Sequence, residues 1–185
     1  MQIFISGTDT NIGKTVIASW LALHTNSAYF KPIQTGAFEG RDSLEAQKLA
    51  KVKIYPEIFL YQNPLSPHLA AKLEDNKEIE VEKIILPQEK NLIVEGAGGL
   101  LVPINKKTLM IDLIAKLNLP IILVASSKLG TINHTLLSIE AIRSRNLSLL
   151  GIIMNGNLNC ENKKAIEFYG KSQILAQFPW LDALN

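Results

Sequence analysis

A single cysteine in 185 residues, Cys160, excludes an intrachain disulfide and fits a reducing compartment. It sits between polar Asn159 and Glu161, as a surface or helix-edge residue does, and receives no role. No apolar run approaches the length of a membrane span. Met1-Gln2 leads into a short apolar stretch that enters a glycine-containing loop at once, so no secretory leader is recognised. Blocks of basic charge are missing too. Nothing exceeds Lys106-Lys107 or Lys163-Lys164, and the formal net charge is +2, which speaks against nucleic acid as the main partner. No repeat, low-complexity tract or flexible linker divides the chain. The expectation is a soluble, cytoplasmic, single domain over residues 1–185. A chain of this length buries roughly 70% of its unfolded surface and needs no disulfide or structural metal to fold.

Apolar runs alternate with helical stripes along the whole chain. Ile3–Ser6, Ala28–Lys31, Leu92–Glu95, Ile121–Ser126, Leu149–Met154 and Gln173–Phe178 read as strands. Several are nearly continuous hydrophobics, the pattern of parallel strands covered on both faces. Lys14–His24, Ser43–Ala50, Leu109–Leu117, Thr131–Arg143 and Asn162–Tyr169 read as helices, with Ile132, Leu136, Ile139 and Ile142 forming an inward stripe on the fourth. The fold class is therefore α/β: a single domain whose parallel sheet carries helices on both faces. The connection from Lys53 to Gln88, punctuated by Pro56, Pro64 and Pro67, is expected to be irregular, with short helical pieces at Pro67–Leu73 and Val81–Leu86. Eight of the eleven glycines (Gly7, Gly13, Gly36, Gly96, Gly98, Gly99, Gly130, Gly156) fall just after a predicted strand. That places an active rim beyond the carboxyl ends of the strands, where open parallel sheets bind their ligands.

The stretch Gly7-Thr8-Asp9-Thr10-Asn11-Ile12-Gly13-Lys14-Thr15 joins the first strand to the first helix. A glycine-bounded loop closing in Gly-Lys-Thr is a phosphate cradle: backbone N–H groups and the helix start face anionic oxygens, Lys14 reaches the β- and γ-phosphates, and the Thr15 hydroxyl can ligate Mg²⁺. Counted back from Gly13, the first glycine of G-x-x-x-x-G-K-[ST] falls on Thr8, so this loop is one residue longer than the common form. Gly-Lys-Thr alone fits an ordinary βα turn with a surface lysine; the flanking strand and helix favour the nucleotide site. Glu95, at the tip of a buried strand and followed by Gly96-Ala97-Gly98-Gly99, occupies the position where such proteins hold Mg²⁺, directly or through water. Its alternative is a solvated strand-end glutamate. Pro32 stops the second strand and holds Lys31 extended on the same rim, although by itself this stretch also fits a snorkelling lysine. Asp42 opens a helix, and by default it is an N-cap. If that helix start faces the phosphate loop, Asp42 becomes a second metal carboxylate. His68 and His134 have no partner spacing that makes a triad or a metal site.

Taken together, these stretches resemble the dethiobiotin synthetase family over essentially the whole chain. The likeness rests on Gly7-Thr8-Asp9-Thr10 through Gly13-Lys14-Thr15, Lys31-Pro32 with Thr35-Gly36, Ser66-Pro67-His68, and Val94-Glu95-Gly96-Ala97-Gly98-Gly99. It extends to Lys128-Leu129-Gly130-Thr131-Ile132-Asn133-His134, Asn155 and Pro179-Trp180-Leu181. The extended loop paired with Glu-Gly-Ala-Gly-Gly is specific to that family; either motif alone indicates only the wider P-loop group. The resemblance implies a P-loop NTPase-like fold and an ATP- and Mg²⁺-dependent enzyme that carboxylates diaminopelargonic acid with CO₂ and closes a ureido ring through a carbamate and a carbamic–phosphoric anhydride. It implies Lys14 and Lys31 as catalytic residues and Thr15, Asp42 and Glu95 as the metal set. The nucleotide contacts are Asn11, Ile12, Gly13, Lys14, Thr15, Val16, Asp42, Glu95, Gly96, Ala97, Gly98, Asn155, Gly156, Pro179, Trp180 and Leu181. Thr10, Thr35 and Gly98 fall to the diamine or its carbamate. Family members are homodimers, so Leu129 and Asn133 are expected to reach the substrate of a second copy.

The departures lie at the base end. Gly156-Asn157-Leu158-Asn159 replaces the family's usual sequence after Asn155, and relatives continue beyond Leu181 to an acidic residue that contacts the adenine amino group. A base amino group without an acceptor is discriminated less strongly, so GTP or other triphosphates are expected to substitute partly for ATP. Two other readings compete. A cobyrinate-type amide-forming synthetase is expected to carry a glutaminase domain, for which 185 residues leave no room. A partitioning-type ATPase switch carries a signature lysine early in the loop, where this chain has Thr8.

Overall fold

The computed structural model describes residues 1–74 and 77–179. In chain order the elements are β1 (Gln2–Gly7), α1 (Lys14–Thr25), β2 (Ala28–Phe30), β3 (Ile33–Gln34), α2 (Asp42–Ala50), β4 (Ile54–Tyr55), β5 (Phe59–Leu60) and α3 (Pro67–Glu74). A single 3₁₀ turn (Val81–Lys83) precedes β6 (Leu92–Gly99), α4 (Met110–Leu117), β7 (Ile121–Ser126), α5 (Thr131–Ser144), β8 (Leu149–Asn155), α6 (Cys160–Gly170) and β9 (Ile174–Phe178). Seven strands form one parallel sheet in the order β4-β2-β6-β1-β7-β8-β9.

Side chains alternate along each strand, and the alternation sorts the core onto the two faces of the sheet. Phe4, Leu92, Val94, Ile121, Leu123, Ile152 and Met154 pack against α4, α5 and α6, with α3 in the same cluster. Ile3, Ile5, Ile93, Ile122, Val124 and Ile153 pack against α1 and α2. Helices thus cover both faces, as the near-continuous apolar strands require. On the second face Ala18 and Ala22 of α1 and Ala46 of α2 are fully buried. Small side chains there let the two helices lie close, so their first turns stand side by side at the carboxyl edge of the sheet.

The centre of that edge is a topological switch point. From β1 the chain crosses to β2 on one side; from β6, the neighbour of β1, it crosses to β7 on the other. Strand β6 also differs from expectation by running on through its glycines to Gly99. Ile5 pairs with Glu95 but Gly7 pairs with Gly99, so two steps of β1 span four of β6. This bulge absorbs the residues that glycine would otherwise exclude from a regular strand.

The connection from Lys53 to Gln88 is more ordered than its prolines predict. Strand β4 extends the main sheet, and β3 pairs with β5 through Ile33↔Phe59 and Gln34↔Leu60. The Pro32 carbonyl accepts from the Ile58 and Phe59 N–H groups, each at 3.0 Å. Helix α3 forms at the expected Pro67, whereas the piece expected at Val81–Leu86 is one turn only. Helix α6 begins at Cys160 rather than Asn162, because the Asn159 side chain caps it by accepting from the Asn162 N–H at 2.9 Å. Among the described residues, no helix is long and apolar enough to cross a membrane.

Candidate active site

The loop after β1 is shaped by its glycine and its neighbours. Gly13 has φ +89°, and a Cβ there would lie 2.1 Å from the Asn155 amide nitrogen, so both conformation and space require glycine. The Asn155 amide donates to the Ile12 carbonyl at 2.9 Å, tying the end of β8 to the loop. The Thr8 N–H donates to the Val124 carbonyl at 2.9 Å and fixes the other end to β7. No side chain caps α1, whose N-terminal residue is Lys14. Its first N–H groups therefore remain available to an anion, in the manner of a helix-start phosphate site. The Lys14 ammonium folds back to the Asp9 carbonyl at 2.9 Å.

Beside the loop, three donors meet at Glu95, two from the end of β2 and one from α1. This carboxylate, 1% exposed, accepts from Tyr29 Oη at 2.8 Å, Lys31 Nζ at 2.8 Å and Thr15 Oγ1 at 3.0 Å. The Lys31 ammonium also pairs with Asp42, whose side chain is 30% exposed to the cleft. Asp42 is not the N-cap of α2: Arg41 holds that position, and Asp42, one residue inside, turns its carboxylate to Lys31. Burial works against the Lys31 ammonium, but Glu95 and then Asp42 outweigh it and raise its pKa above the usual lysine value. Lys14 has the opposite balance. Burial lowers its pKa to about 8, with Glu95 offsetting part of the shift and the nearby Lys31 adding to it. Burial and the Glu95 charge push the Tyr29 phenol far above its ordinary range, so it stays a donor.

The chemistry of this donor set fits a magnesium ion. Lys31 bridges two carboxylates, one of which also accepts from a threonine hydroxyl, and its single positive charge leaves the group net negative, as a cation site requires. Among the described residues no three His, Cys, Asp or Glu side chains cluster as a metal site. A divalent ion here would draw its remaining ligands from phosphate oxygens and water, as magnesium commonly does.

These groups line a cleft of about 710 Å³. Thr10, Asn11, Gly13, Lys14, Thr15, Val16, Lys31, Thr35, Asp42, Glu95, Ala97 and Gly98, all singled out in the sequence, face it. Ile12, a loop residue, is not among the cleft-lining residues and packs partly buried against the core. Gly96 is turned away, since a Cβ on it would meet the Phe4 ring at 2.8 Å on the opposite face of the sheet. Asn155 and Gly156 stand at the end of β8; the Gly156 N–H donates to the Phe178 carbonyl at 2.9 Å. Pro179 is exposed, and Trp180 and Leu181 lie outside the described residues. Leu129 and Asn133, at the start of α5, are exposed and do not line the cleft of their own chain. His68 takes a local bond, Nδ1 to Ser66 Oγ at 3.1 Å.

Sequence reasoning passed over Tyr29, Gln34 and Glu57. Tyr29 lies two residues before Lys31, so strand alternation puts both side chains on one face, and that signal was available. Gln34 Oε1 accepts from the Asp42 N–H at 3.1 Å. Glu57, between β4 and β5, belongs to no motif; only the folded chain brings it to Arg41 and Ser43.

The model of the AAA domain family matches residues 1–185. An ATP-dependent dethiobiotin synthetase BioD from Lawsonia intracellularis is 56% identical over 185 residues, covering 100% of this chain and 91% of the relative. Another from Paramagnetospirillum magneticum is 46% identical, covering 99% and 90%. Among solved structures, a ParA family ATPase from Chlorobium tepidum TLS is similar with a TM-score of 0.62 over 97% of this chain and 84% of that one. At 14% identity this likeness speaks for the fold alone. Identity of such depth from end to end, on a cleft that gathers the phosphate loop, two carboxylates and a second lysine, makes this chain a member of the ATP-dependent dethiobiotin synthetase family.

Proposed function

We propose that the protein makes dethiobiotin from diaminopelargonic acid, CO₂ and ATP, releasing ADP and phosphate. One amine of the substrate adds to CO₂ and loses a proton, giving a carbamate. A carbamate oxygen takes the γ-phosphoryl group from ATP. The second amine then attacks the carbonyl carbon, closing the ureido ring and expelling phosphate with the oxygen that bridged carbon and phosphorus. The observation that carries this reading is that Lys14, Lys31, Thr15, Asp42 and Glu95 line one cleft, with Lys31 bonded to both carboxylates.

Carbamate and triphosphate are both anions, so their approach calls for dense positive charge and exact placement more than for an acid–base pair. Lys14 and the uncapped start of α1 bind the β- and γ-phosphates. Lys31, held on the adjacent strand end, receives the carbamate. Thr15, Asp42 and Glu95 would hold a magnesium ion, which would neutralise further phosphate charge. Thr10, Thr35 and backbone groups at Gly98 orient the diamine. In a homodimer, Leu129 and Asn133 of one copy contact the substrate of the other, which agrees with their exposure here. The base lies toward Asn155, Gly156 and Pro179, and the altered stretch 156–159 supports partial use of GTP.

Incubation with diaminopelargonate, bicarbonate, Mg²⁺ and ATP tests the reading. Dethiobiotin is expected by mass, with ADP and phosphate in equal amounts and none of it when any reactant is left out. ATP hydrolysis that ignores the diamine and yields no new organic product would overturn it.

A further inference from the structure

Asp42 owes its place to a part of the chain that carries no nucleotide motif. The residues on either side of it, Arg41 and Ser43, bind one carboxylate, Glu57, whose side chain is 1% exposed. Arg41 Nε donates to Glu57 Oε1 at 3.3 Å and Arg41 Nη2 donates to Oε2; the Ser43 hydroxyl donates to Oε1. A two-pronged guanidinium–carboxylate pair fixes orientation as well as distance. The next two residues, Ile58 and Phe59, donate their N–H groups to the Pro32 carbonyl, one residue past Lys31. A three-residue stretch thus ties the helix start that presents Asp42 to the strand end that presents Lys31.

Among the described residues, only the Asp42–Lys31 ion pair itself joins the two as directly, and that contact has to open if a metal ion is to take the Asp42 carboxylate. The helix has no side-chain cap, and its core anchors, Ala46 and Ala50, lie one and two turns farther on. Gln34 holds only the Asp42 N–H. Without Glu57 the helix would keep its packing while its first turn, and the Asp42 carboxylate with it, became free to swing. We propose that Glu57 is a positioning residue for the metal–nucleotide site: through Arg41 and Ser43 it holds Asp42 where it can bind a divalent cation. The proposal rests on the reading of the cleft as such a site and not on the identity of the organic substrate.

The test is Mn²⁺ binding to the full chain, followed by electron paramagnetic resonance with a non-hydrolysable ATP analogue present, in a double-mutant cycle of Glu57→Gln and Asp42→Asn. Loss of a group that orients a ligand lowers metal affinity roughly tenfold or more. Glu57→Gln is expected to weaken Mn²⁺ by that factor, leave metal-free binding of the analogue unchanged, and have no further effect once Asp42 is Asn. An unchanged Mn²⁺ affinity, or an equal loss in both backgrounds, would overturn the positioning role. Absence of Mn²⁺ binding in the unmodified protein would instead overturn the reading of the site. Should Glu57→Gln fail to fold, Arg41→Lys, which keeps the charge and removes the fork, enters the same cycle with the same expected outcomes.

Discussion

The phosphate loop and the end of β2 each present a buried lysine to the same cleft, and their surroundings drive the two in opposite directions. Lys14 has a neutral partner, the Asp9 carbonyl, and burial brings its pKa down to about 8. Lys31 lies between two carboxylates, which raise its pKa despite its burial. Among the described residues Lys14 has no carboxylate bonded to it, and on the proposed reading it gains a negative partner when a triphosphate arrives. Lys31 is already paired, and on that reading must exchange carboxylate for substrate oxygen to act. Burial alone therefore does not set the behaviour of a lysine at this rim; the nearest anion does.

Removing each ammonium in turn separates the two lysines. Lys14→Met and Lys31→Met are each expected to lower kcat/KM for dethiobiotin formation by a factor on the order of 10²–10³ or more. They should differ in kind. Lys14→Met raises the KM for ATP, whereas Lys31→Met acts mainly on kcat, and steady-state kinetics with varied ATP separates the two.

A second effect, of comparable size in free energy, concerns stability. Removing one partner of a buried ion pair costs about 3–5 kcal/mol, and Lys31→Met leaves Glu95 facing Asp42 without a cation. Thermal unfolding of this variant should shift down clearly, and Mg²⁺ should restore more of the lost Tm than it adds to the unmodified protein. An equal Mg²⁺ effect in both would mean that Lys31 does not stand in for a cation.

The pH dependence sharpens the same contrast. Lys14 is charged below about pH 8 and neutral above it, while a bound triphosphate favours the charged form. Metal-free ATP binding should therefore take up little proton at pH 7 and close to one at pH 9, with affinity falling as pH rises. Calorimetry in buffers of different ionisation enthalpy reads this directly. In Lys14→Met the uptake should vanish.

The smallest expected effect lies at the base end. If the stretch 156–159 supplies fewer contacts to the base, kcat/KM with ATP should exceed that with GTP only several-fold. A preference of a hundredfold or more would place a strong base-reading group elsewhere.

Much of this was legible in the sequence because it is local. The strand, glycine loop and helix start occur in succession between Ile3 and Val16, and Glu95 with its glycines occupies one strand end. Asp42 was legible as a helix start but not as a partner of Lys31, since the side-by-side packing of α1 and α2 decides which way it faces. Strands β3, β4 and β5 have two residues each, too few for periodicity to register, and β3 and β5 pair only because residues 58–61 reach back to Pro32 and Gln34. Glu57 was invisible for the same reason: its partners lie fourteen and sixteen residues upstream and share no motif with it.

The central claim is that carbamate and γ-phosphate meet between the two lysines, so that an oxygen of CO₂ leaves on phosphate. Running the reaction in ordinary water with ¹⁸O-labelled bicarbonate, and weighing both products before exchange with solvent, follows that oxygen. The account predicts one labelled oxygen in the released phosphate and one in the ureido carbonyl of dethiobiotin. Labelled dethiobiotin accompanied by unlabelled phosphate would contradict it.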